Sequence, residues 1–294
     1  VVVTVATYKR PALLGELLAS LAAISDESPF SIIVIDNDPD GSGEAAVVSS
    51  GLSVSYSVEP TPGIVAARNA ALEQVRDDTT DIVFVDDDET VPRGWLVELL
   101  RVRDLYGAEI VCGPVESVFP EGSPSWIEKG GYIQRSNETE GLTDRAPATN
   151  NTLVSMAPIR ALGLRFDQSF SETGGSDTHF FRSLTRSGVS VAWAPGAAVS
   201  EVVPINRLTF RWVMRRYIRI NNVSGRLMLD DISRAHLAFK AVLSIAYGIP
   251  RTLFALIRGK GLRLADTRYI TRGIGWLGAA SDRLVREYRR TTPS

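Results

Sequence analysis

Short β-branched runs alternating with helical patterns over residues 1–106 limit this chain to few architectures. Val1 to Ala6 reads as a strand, and Pro11 to Ala23 as a helix with proline in its first turn. Ser31 to Ile35 is a second strand, ending at Asp36, and the Asn37 to Gly43 segment is rich in turn residues. Ser53 to Val58 is a weaker strand, Gly63 to Val75 a helix, and Ile82 to Val85 a further strand. This βαβαβ order predicts a mainly parallel sheet with helices on both faces. Ligands of such sheets bind outside the carboxyl ends of the strands, so Asp36 and Asp86 are expected to share one crevice. Trp95 to Tyr106 continues the pattern as a helix, followed by the strand Glu109 to Cys112. Residues 114–147 are loop-rich, a composition suited to a lid or acceptor-binding region. Asp177 to Ser187 is helical and Val189 to Trp193 strand-like.

The strand Ile82 to Val85 runs into Asp86-Asp87-Asp88-Glu89. Strand alternation would set Asp86 and Asp88 on one side, about 6–7 Å apart by Cα, with Asp87 on the other. Clustered carboxylates repel by about 1 kcal/mol per pair in water at 4 Å, and by more at lower dielectric. A cation relieves that repulsion, and all-oxygen ligation suits Mg²⁺ or Mn²⁺. A solvated acidic turn, helped by Pro92 and Gly94, is the competing reading.

The 294 residues are 44% hydrophobic and 22% charged, the composition of a globular protein with a sizeable core. The single Cys112 excludes an internal disulfide and fits a reducing compartment. With His179 and His236 it cannot build a usual zinc site. The chain opens inside a strand-like run and shows no signal-peptide pattern. Residues 1–203 carry 14 Lys and Arg against 29 Asp and Glu, whereas residues 204–294 carry 18 against 5. A basic tail on an acidic domain points to an anionic partner, and its aromatic and apolar content favours a membrane surface over nucleic acid.

Five segments occur in one order: Thr7-Tyr8-Lys9-Arg10-Pro11, Val34-Ile35-Asp36-Asn37-Asp38, Pro62-Gly63-Ile64-Val65-Ala66-Ala67-Arg68-Asn69, Phe84-Val85-Asp86-Asp87-Asp88 and Glu172-Thr173-Gly174-Gly175-Ser176-Asp177. With this set, spanning roughly residues 1–225, the chain resembles family 2 glycosyltransferases of GT-A fold. It is most similar to the bacterial exopolysaccharide type represented by succinoglycan glucosyltransferases. The resemblance implies an inverting transfer of a sugar from a nucleotide diphosphate donor to an acceptor hydroxyl. UDP-glucose is the donor it suggests. It further implies that residues 1–225 form a Rossmann-like catalytic domain and that residues 226–294 form an appendage.

Individual residues carry physical readings beside that resemblance. Tyr8 can stack on a pyrimidine, worth about 1–3 kcal/mol per base, or serve as a core aromatic. Asp36 can accept from a base or ribose, or simply form the turn beside Asn37 and Pro39; Asp38 is the competing acid. Arg68 lies in an apolar helix where a buried charge needs a partner, either a diphosphate or a strand-end acid. Asn69 can fix the nucleotide loop, and Thr7 and Arg10 belong to the same donor-side motif. The family pattern makes Asp86 a nucleotide contact and Asp88 the metal ligand, leaving Asp87 a supporting role. Asp177 is a favoured N-cap residue type, worth about 1 kcal/mol. In the family the Asp at this place is the general base. The usual Glu before it is replaced by Ser176, with Glu172 as a substitute for acceptor binding. Where many relatives place a metal-binding His, this chain offers Glu201, which can ligate Mg²⁺ or Mn²⁺ or pair with a nearby base. Asn150 and Asn151 resemble a pair lining the sugar pocket, and Trp126 and Trp193 can stack on sugar or sit in the core.

The tail from Arg207 to Arg226 reads as a basic helix that lacks the Gln-x-x-Arg-Trp motif of processive relatives. The apolar run from Ala235 to Pro250 is expected to be too short and too interrupted to span a bilayer, with Pro250 and Arg251 breaking it. An amphipathic basic segment of this kind is expected to lie in the interface, where Arg258, Lys260, Arg263, Arg268 and Arg272 would meet anionic headgroups; a helical bundle packed on the domain is the competing reading. The expected setting is therefore peripheral, at the cytoplasmic face of the cell membrane, with a saccharide or lipid-linked saccharide as acceptor. Two rivals differ in signature. A sugar-phosphate nucleotidyltransferase would carry a Gly-rich basic loop after the first strand, and Thr7 to Pro11 has no glycine. A non-catalytic nucleotide-sugar-binding module would be expected to lose its carboxylates, and Asp86, Asp88 and Asp177 are all present.

Overall fold

A computed structural model describes residues 1–134, 137–171, 173–259 and 261–283. Glu172 and Lys260 therefore lie outside the described residues. The chain divides into two compact units. The first comprises the described residues of Val1–Glu116, Arg135–Ser171 and Ser176–Val202; the second those of Ser117–Gln134, Glu172–Gly175 and Val203–Ser294.

The first unit is a mixed, mostly parallel sheet of GT-A type. Its strands are β1 (Val2–Thr7), β2 (Ser31–Asp36), β3 (Val54–Val58) and β4 (Asp81–Asp86), then the short β5 (Glu89–Thr90) and β6 (Ile110–Cys112). β7 (Val115–Val118) leads out of the unit, and β8 (Gly141–Leu142), β9 (Thr152–Ser155), β10 (Val191–Trp193) and β11 (Val199–Val202) complete the set. The main sheet has the order β3-β2-β1-β4-β9-β6-β10-β8. β9 runs antiparallel between β4 and β6, and β8 antiparallel to β10; the other pairs are parallel.

Helices α1 (Pro11–Ala22), α2 (Glu44–Ser49), α3 (Ile64–Gln74), α4 (Trp95–Tyr106) and, later, α6 (Met156–Ala161) and α7 (Ser176–Arg186) follow the strands; α5 (Ser125–Lys129) belongs to the second unit. The period-2 pattern of the strands decides which helix covers which face. Val3, Val5, Val83 and Val85 join one core with Leu14, Leu17, Leu18 and Leu21 of α1 and Trp95 and Leu99 of α4. Ile82 and Phe84 point the other way, to Val65 of α3 and Phe180, Phe181 and Leu184 of α7. Each fully buried leucine of α1 contributes about 1.5–3 kcal/mol of transfer free energy.

Three segments are tied together by Asn151, which is completely buried. Its Nδ2 donates to the carbonyls of Pro114 (2.8 Å) and Ala197 (2.7 Å), and its Oδ1 accepts from Trp95 Nε1 at 2.7 Å. A Cβ on Gly113 would lie 2.3 Å from both Asn151 Nδ2 and the Ala197 carbonyl, so only glycine fits there. Asn151 is thus a core bracket and not a pocket-lining residue. Trp193 is likewise core: it is buried, donates to Asn137 Oδ1 at 2.9 Å and carries Arg145 over its ring at 4.3 Å.

Cys112 is buried at the end of β6, and burial pushes its thiol up to about 11, against a weak contact from Thr152 Oγ1. The thiolate is the reactive form. Native protein at pH 8 is therefore expected to resist a thiol reagent, with labelling appearing only in denaturant. Stoichiometric labelling of the folded chain would contradict this burial.

The second unit contains α5 and the long helices α8 (Phe210–Met228), α9 (Arg234–Ile257) and α10 (Leu264–Ala280). Ile127, Tyr132, Val203, Leu208 and Val213 form its core, with Trp126 against Tyr132 and Phe210 at 5.5 and 6.0 Å between ring centroids. The expected break at Pro250 does not occur. α9 runs unbroken through it. Proline leaves the carbonyl four residues earlier without its amide donor. Ala246 and Pro250 both lie on the exposed side of α9, so that carbonyl is not sealed in the core. The uninterrupted helix is long and apolar enough, by length and composition, to cross a membrane.

Candidate active site at the strand ends

The sites of interest lie in the first unit. The chain builds β2 and β3 on one side of β1 and then returns to place β4 on the other. That reversal opens a crevice at the carboxyl ends of the strands. The register sets Asp36 beside Thr7 and Asp86 beside Ala6.

One guanidinium organises the acidic end of β4. Arg10 Nη1 donates to Asp87 Oδ1 at 3.0 Å and to Asp88 Oδ2 at 3.1 Å. Thr7 Oγ1 donates to Asp87 Oδ2 at 2.8 Å. Burial holds the Asp87 carboxyl above its ordinary pKa, and Arg10 and Thr7 only partly offset this. Burial also works against the Arg10 charge, but Asp87 and Asp88 outweigh it and raise its pKa. The strict alternation expected across the triplet fails because β4 ends at Asp86 and the next two residues turn. Asp87 and Asp88 consequently share Arg10. Asp86 is the more open acid and lies 3.7 Å from Arg68 Nη2.

Arg68, on α3, is itself mostly buried and rests over the Phe166 ring at 5.7 Å. Its neighbour Asn69 clamps the Phe166 backbone, donating to the carbonyl at 2.9 Å and accepting from the amide at 2.8 Å. Asn69 therefore holds the aromatic platform on which the Arg68 cation lies, an arrangement worth about 0.5–2 kcal/mol.

Asp36 is fully buried, and both of its oxygens are used inside the fold. Oδ1 accepts from the Asp38 amide at 2.9 Å; Oδ2 accepts from the Gly43 amide at 2.6 Å and from Tyr56 Oη at 3.0 Å. Burial, then the hydrogen bond to Asp36 and the Asp36 charge, drive the Tyr56 hydroxyl well above its ordinary pKa. Asp36 thus braces the loop that follows β2. Asp38, on that loop, is 3.8 Å from Lys9 Nζ. Asn37 joins the same loop to the start of α3, donating to the Glu59 and Thr61 carbonyls and accepting from the Gly63 amide at 2.8 Å. Tyr8 is 37% exposed at the mouth, with Lys9 Nζ 5.6 Å from its ring centre.

Asp177 is the second residue of α7, so it does not cap that helix. Its Oδ1 accepts from the Thr178 amide at 2.8 Å. Three residues later, Phe180 stacks on Phe166 at 4.2 Å and meets Phe84 edge-on at 6.5 Å. Residues three apart share a helix face. Phe84 stands two residues before Asp86, and Phe166 is the ring beneath Arg68. The aromatic stack therefore holds the first turn of α7 to the end of β4. His179, on the same turn, lies against Phe170 at 5.1 Å.

Glu201 lies on β11, which pairs antiparallel with β5 and sets it opposite Glu89. Both carboxylates are buried. Glu89 directly follows Asp88, and its Oε2 accepts from the Asp86 amide at 3.0 Å. The oxygen donors suit a hard divalent cation, and Arg10 already marks where positive charge is needed. Among the described residues, no group of three or more His, Cys, Asp or Glu is arranged to hold a metal. The residues fit a cation that brings part of its ligation with a diphosphate and water, as Mg²⁺ commonly does. Tyr56 and Phe166 carry structural roles that no sequence motif marked, and Glu89, in sequence only the last of the acidic run, braces the end of β4.

Residues 2–162 match the family model described as Glycosyl transferase family 2. The chain is 32% identical to the succinoglycan biosynthesis protein ExoM of Rhizobium meliloti (strain 1021) over 246 residues, 82% of this chain and 79% of that protein. Among solved structures, S. aureus TarS 1-349 in complex with UDP-GlcNAc is similar with a TM-score of 0.54 and 19% identity, covering 80% of this chain and 68% of that one. The same fragment in complex with UDP gives a TM-score of 0.56 at 16% identity, covering 96% and 90%. The last two share the fold. The family match over more than half the chain, on the sheet whose strand ends gather Thr7, Arg10, Arg68 and the acidic triplet, establishes that the chain belongs to glycosyl transferase family 2.

Proposed function

We propose that this protein is an inverting, metal-dependent hexosyltransferase that moves a sugar, with glucose the first candidate, from a UDP-linked donor to a saccharide acceptor in cell-surface polysaccharide assembly. The observation that carries the reading is the gathering of Thr7, Arg10, Arg68, Asp86, Asp87 and Asp88 at the carboxyl ends of β1 and β4, with the first turn of α7 held to the same strand. Exposed Tyr8 stacks on the base, and Asp38 and Asp86 accept from the nucleoside. Arg68 faces the diphosphate, and Asp36, Asn69 and Asp87 keep the loops in place. Asp88 and Glu201 hold Mn²⁺ or Mg²⁺, which when bound neutralises charge on the departing diphosphate. Asp177 takes the proton of the acceptor hydroxyl as that oxygen attacks the anomeric carbon. The bond from that carbon to the diphosphate oxygen breaks on the opposite face, so the configuration inverts.

Residues 1–225 act as the catalytic domain, and residues 226–294 as a membrane-associating appendage. The acceptor is a saccharide, free or lipid-linked, met at the cytoplasmic face of the membrane. The ExoM relationship supports polysaccharide assembly, and the TarS complex supports a UDP-sugar. A thermal-shift panel of nucleotide sugars, with and without Mn²⁺, tests the reading. A UDP-hexose at about 100 times its Kd adds about 2.7 kcal/mol. The midpoint should then rise by several degrees with Mn²⁺ and little without it. No shift with any nucleotide sugar under either condition would refute the donor assignment.

A further inference from the structure

We infer that α9 docks in the plane of an anionic bilayer, with its apolar face below the headgroups and the recess at its C-terminal end holding a lipid phosphate. This rests on the membrane-face reading above and names the surface and the lipid class.

α9 has two unlike sides. Leu237, Ala241, Ser244, Gly248 and Ala255 are buried, and this side meets α10. Gly248 sits against Tyr269 and Ile270, Gly273 sits against Ala241 and Ile245, and Ser244 Oγ donates to the Tyr269 carbonyl at 2.8 Å. On the other side Phe239 (62%), Leu243 (53%), Leu253 (54%) and Ile257 (82%) are exposed. At about 100° per residue these four fall within one stripe along the helix. A contiguous apolar stripe of this extent marks an interaction surface.

The charge beside the stripe selects the partner. α9 contains no Asp or Glu. Lys240, Arg251 and Arg258 recur after 11 and 7 residues. That spacing returns to nearly the same azimuth, so they line one edge of the stripe. Aromatic rings accompany them: Arg251 lies 5.7 Å from both Tyr247 and Tyr269, and Arg268 and Arg272 lie over Tyr269 at 4.7 and 4.8 Å. Tyrosine and arginine side by side suit the level of lipid headgroups. At the end of this edge a recess of about 450 Å³ is lined by Arg251, Arg258 and Arg263 against the single acid Asp266. Phe254, half exposed, lines the same recess and so joins it to the apolar face. Guanidinium forks match phosphate oxygens.

Spanning is the other use of such a helix, and its neighbour argues against it. α10 lies alongside α9 from Thr252, whose Oγ1 donates to the Asp266 carbonyl at 2.8 Å, to Ala241 beside Gly273. A crossing α9 would carry Asp266, Arg268 and Arg272 into hydrocarbon, where each is costly. Lying in the plane leaves them among headgroups and water.

Flotation of the full chain with phosphatidylcholine vesicles, and with vesicles containing phosphatidylglycerol, tests the inference. Binding should require phosphatidylglycerol, weaken with salt, and be released by alkaline carbonate. R251Q/R258Q should lower partitioning on the order of tenfold or more. L253E/I257E, at exposed positions, should abolish it while the thermal midpoint stays near wild type. Binding unaffected by either variant, or resistance to carbonate, would overturn in-plane docking. If inorganic phosphate protects the wild type but not R251Q/R258Q, and the protein ignores both vesicle types, the recess takes soluble phosphate and the lipid assignment is wrong. Nucleotide-sugar thermal shifts on the same variants separate the two readings. Vesicle binding without a sugar-nucleotide response would retain docking and remove the transferase proposal; the converse would do the opposite.

Discussion

The Asp177→Asn variant is expected to lose sugar transfer by about 10²- to 10⁴-fold, the usual contribution of a positioned general base. The substitution is nearly isosteric. Asparagine Oδ1 can still accept from the Thr178 amide, as Asp177 does at 2.8 Å, so the first turn of α7 should persist. Phe180, which anchors that turn on Phe166 and Phe84, is untouched. What disappears is the ability to take a proton. Donor binding should therefore match wild type in a thermal-shift titration, while product formation by chromatography falls. Turnover within tenfold of wild type would remove Asp177 from the base role. A parallel loss of donor affinity would make it a binding residue instead.

The second large effect concerns the charge balance at the end of β4. Asp88→Ala should abolish the Mn²⁺ dependence of nucleotide diphosphate binding, because it removes one of two candidate metal ligands. Arg10→Met should act in the opposite direction on metal. In the wild type Arg10 Nη1 sits between Asp87 and Asp88 at 3.0 and 3.1 Å, so a divalent cation must compete with it for Asp88. Without that guanidinium the carboxylates repel one another more strongly. The variant should be less stable alone, yet Mn²⁺ without nucleotide should raise its thermal midpoint by more than it raises that of wild type. An equal Mn²⁺ response in wild type, Asp88→Ala and Arg10→Met would dismiss Asp88 as a ligand. Arg10 would then be a purely structural counter-ion.

The parallel strands were legible because their message is local. Val1 to Ala6, Ser31 to Ile35 and Ile82 to Val85 are compact β-branched runs bounded by turn residues, and each lies within one residue of a strand end in the fold. β9 was harder to see, since its four residues follow two asparagines and precede a helix with no punctuation. α10 carries Gly273, Gly275 and Gly278, which lower helix propensity. In the fold all three are where neighbouring helices approach: Gly273 meets Ala241 and Ile245, Gly275 meets Ile218 and Asn222, and Gly278 meets the Asn222 side chain. α9 was misjudged because proline is read as a breaker, whereas its cost depends on whether the orphaned carbonyl is buried.

The candidate site shows the same division. Motif order located its residues, but their partners lie far along the chain. Arg10 finds Asp87 and Asp88 across 77 and 78 positions, and Asn69 finds Phe166 across 97. The turn reading of Asp36 covers its bond to the Asp38 amide, but nothing in the local pattern told that its other oxygen would go to Gly43 and Tyr56. Nor could strand periodicity show that Asp87 turns to the same guanidinium as Asp88, because that follows from where β4 stops.

The burial of Cys112 makes this chain a ready host for single-site chemistry. With its one native thiol shielded in the sheet, a cysteine introduced at an exposed position is the sole reactive handle without prior removal of any residue. L253C on the outer face of α9 and, separately, a cysteine in place of Val58 at the exposed end of β3 would each accept an environment-sensitive fluorophore alone. The two labelled proteins would then report, from the same fold and the same vesicles, which surface leaves water and which does not.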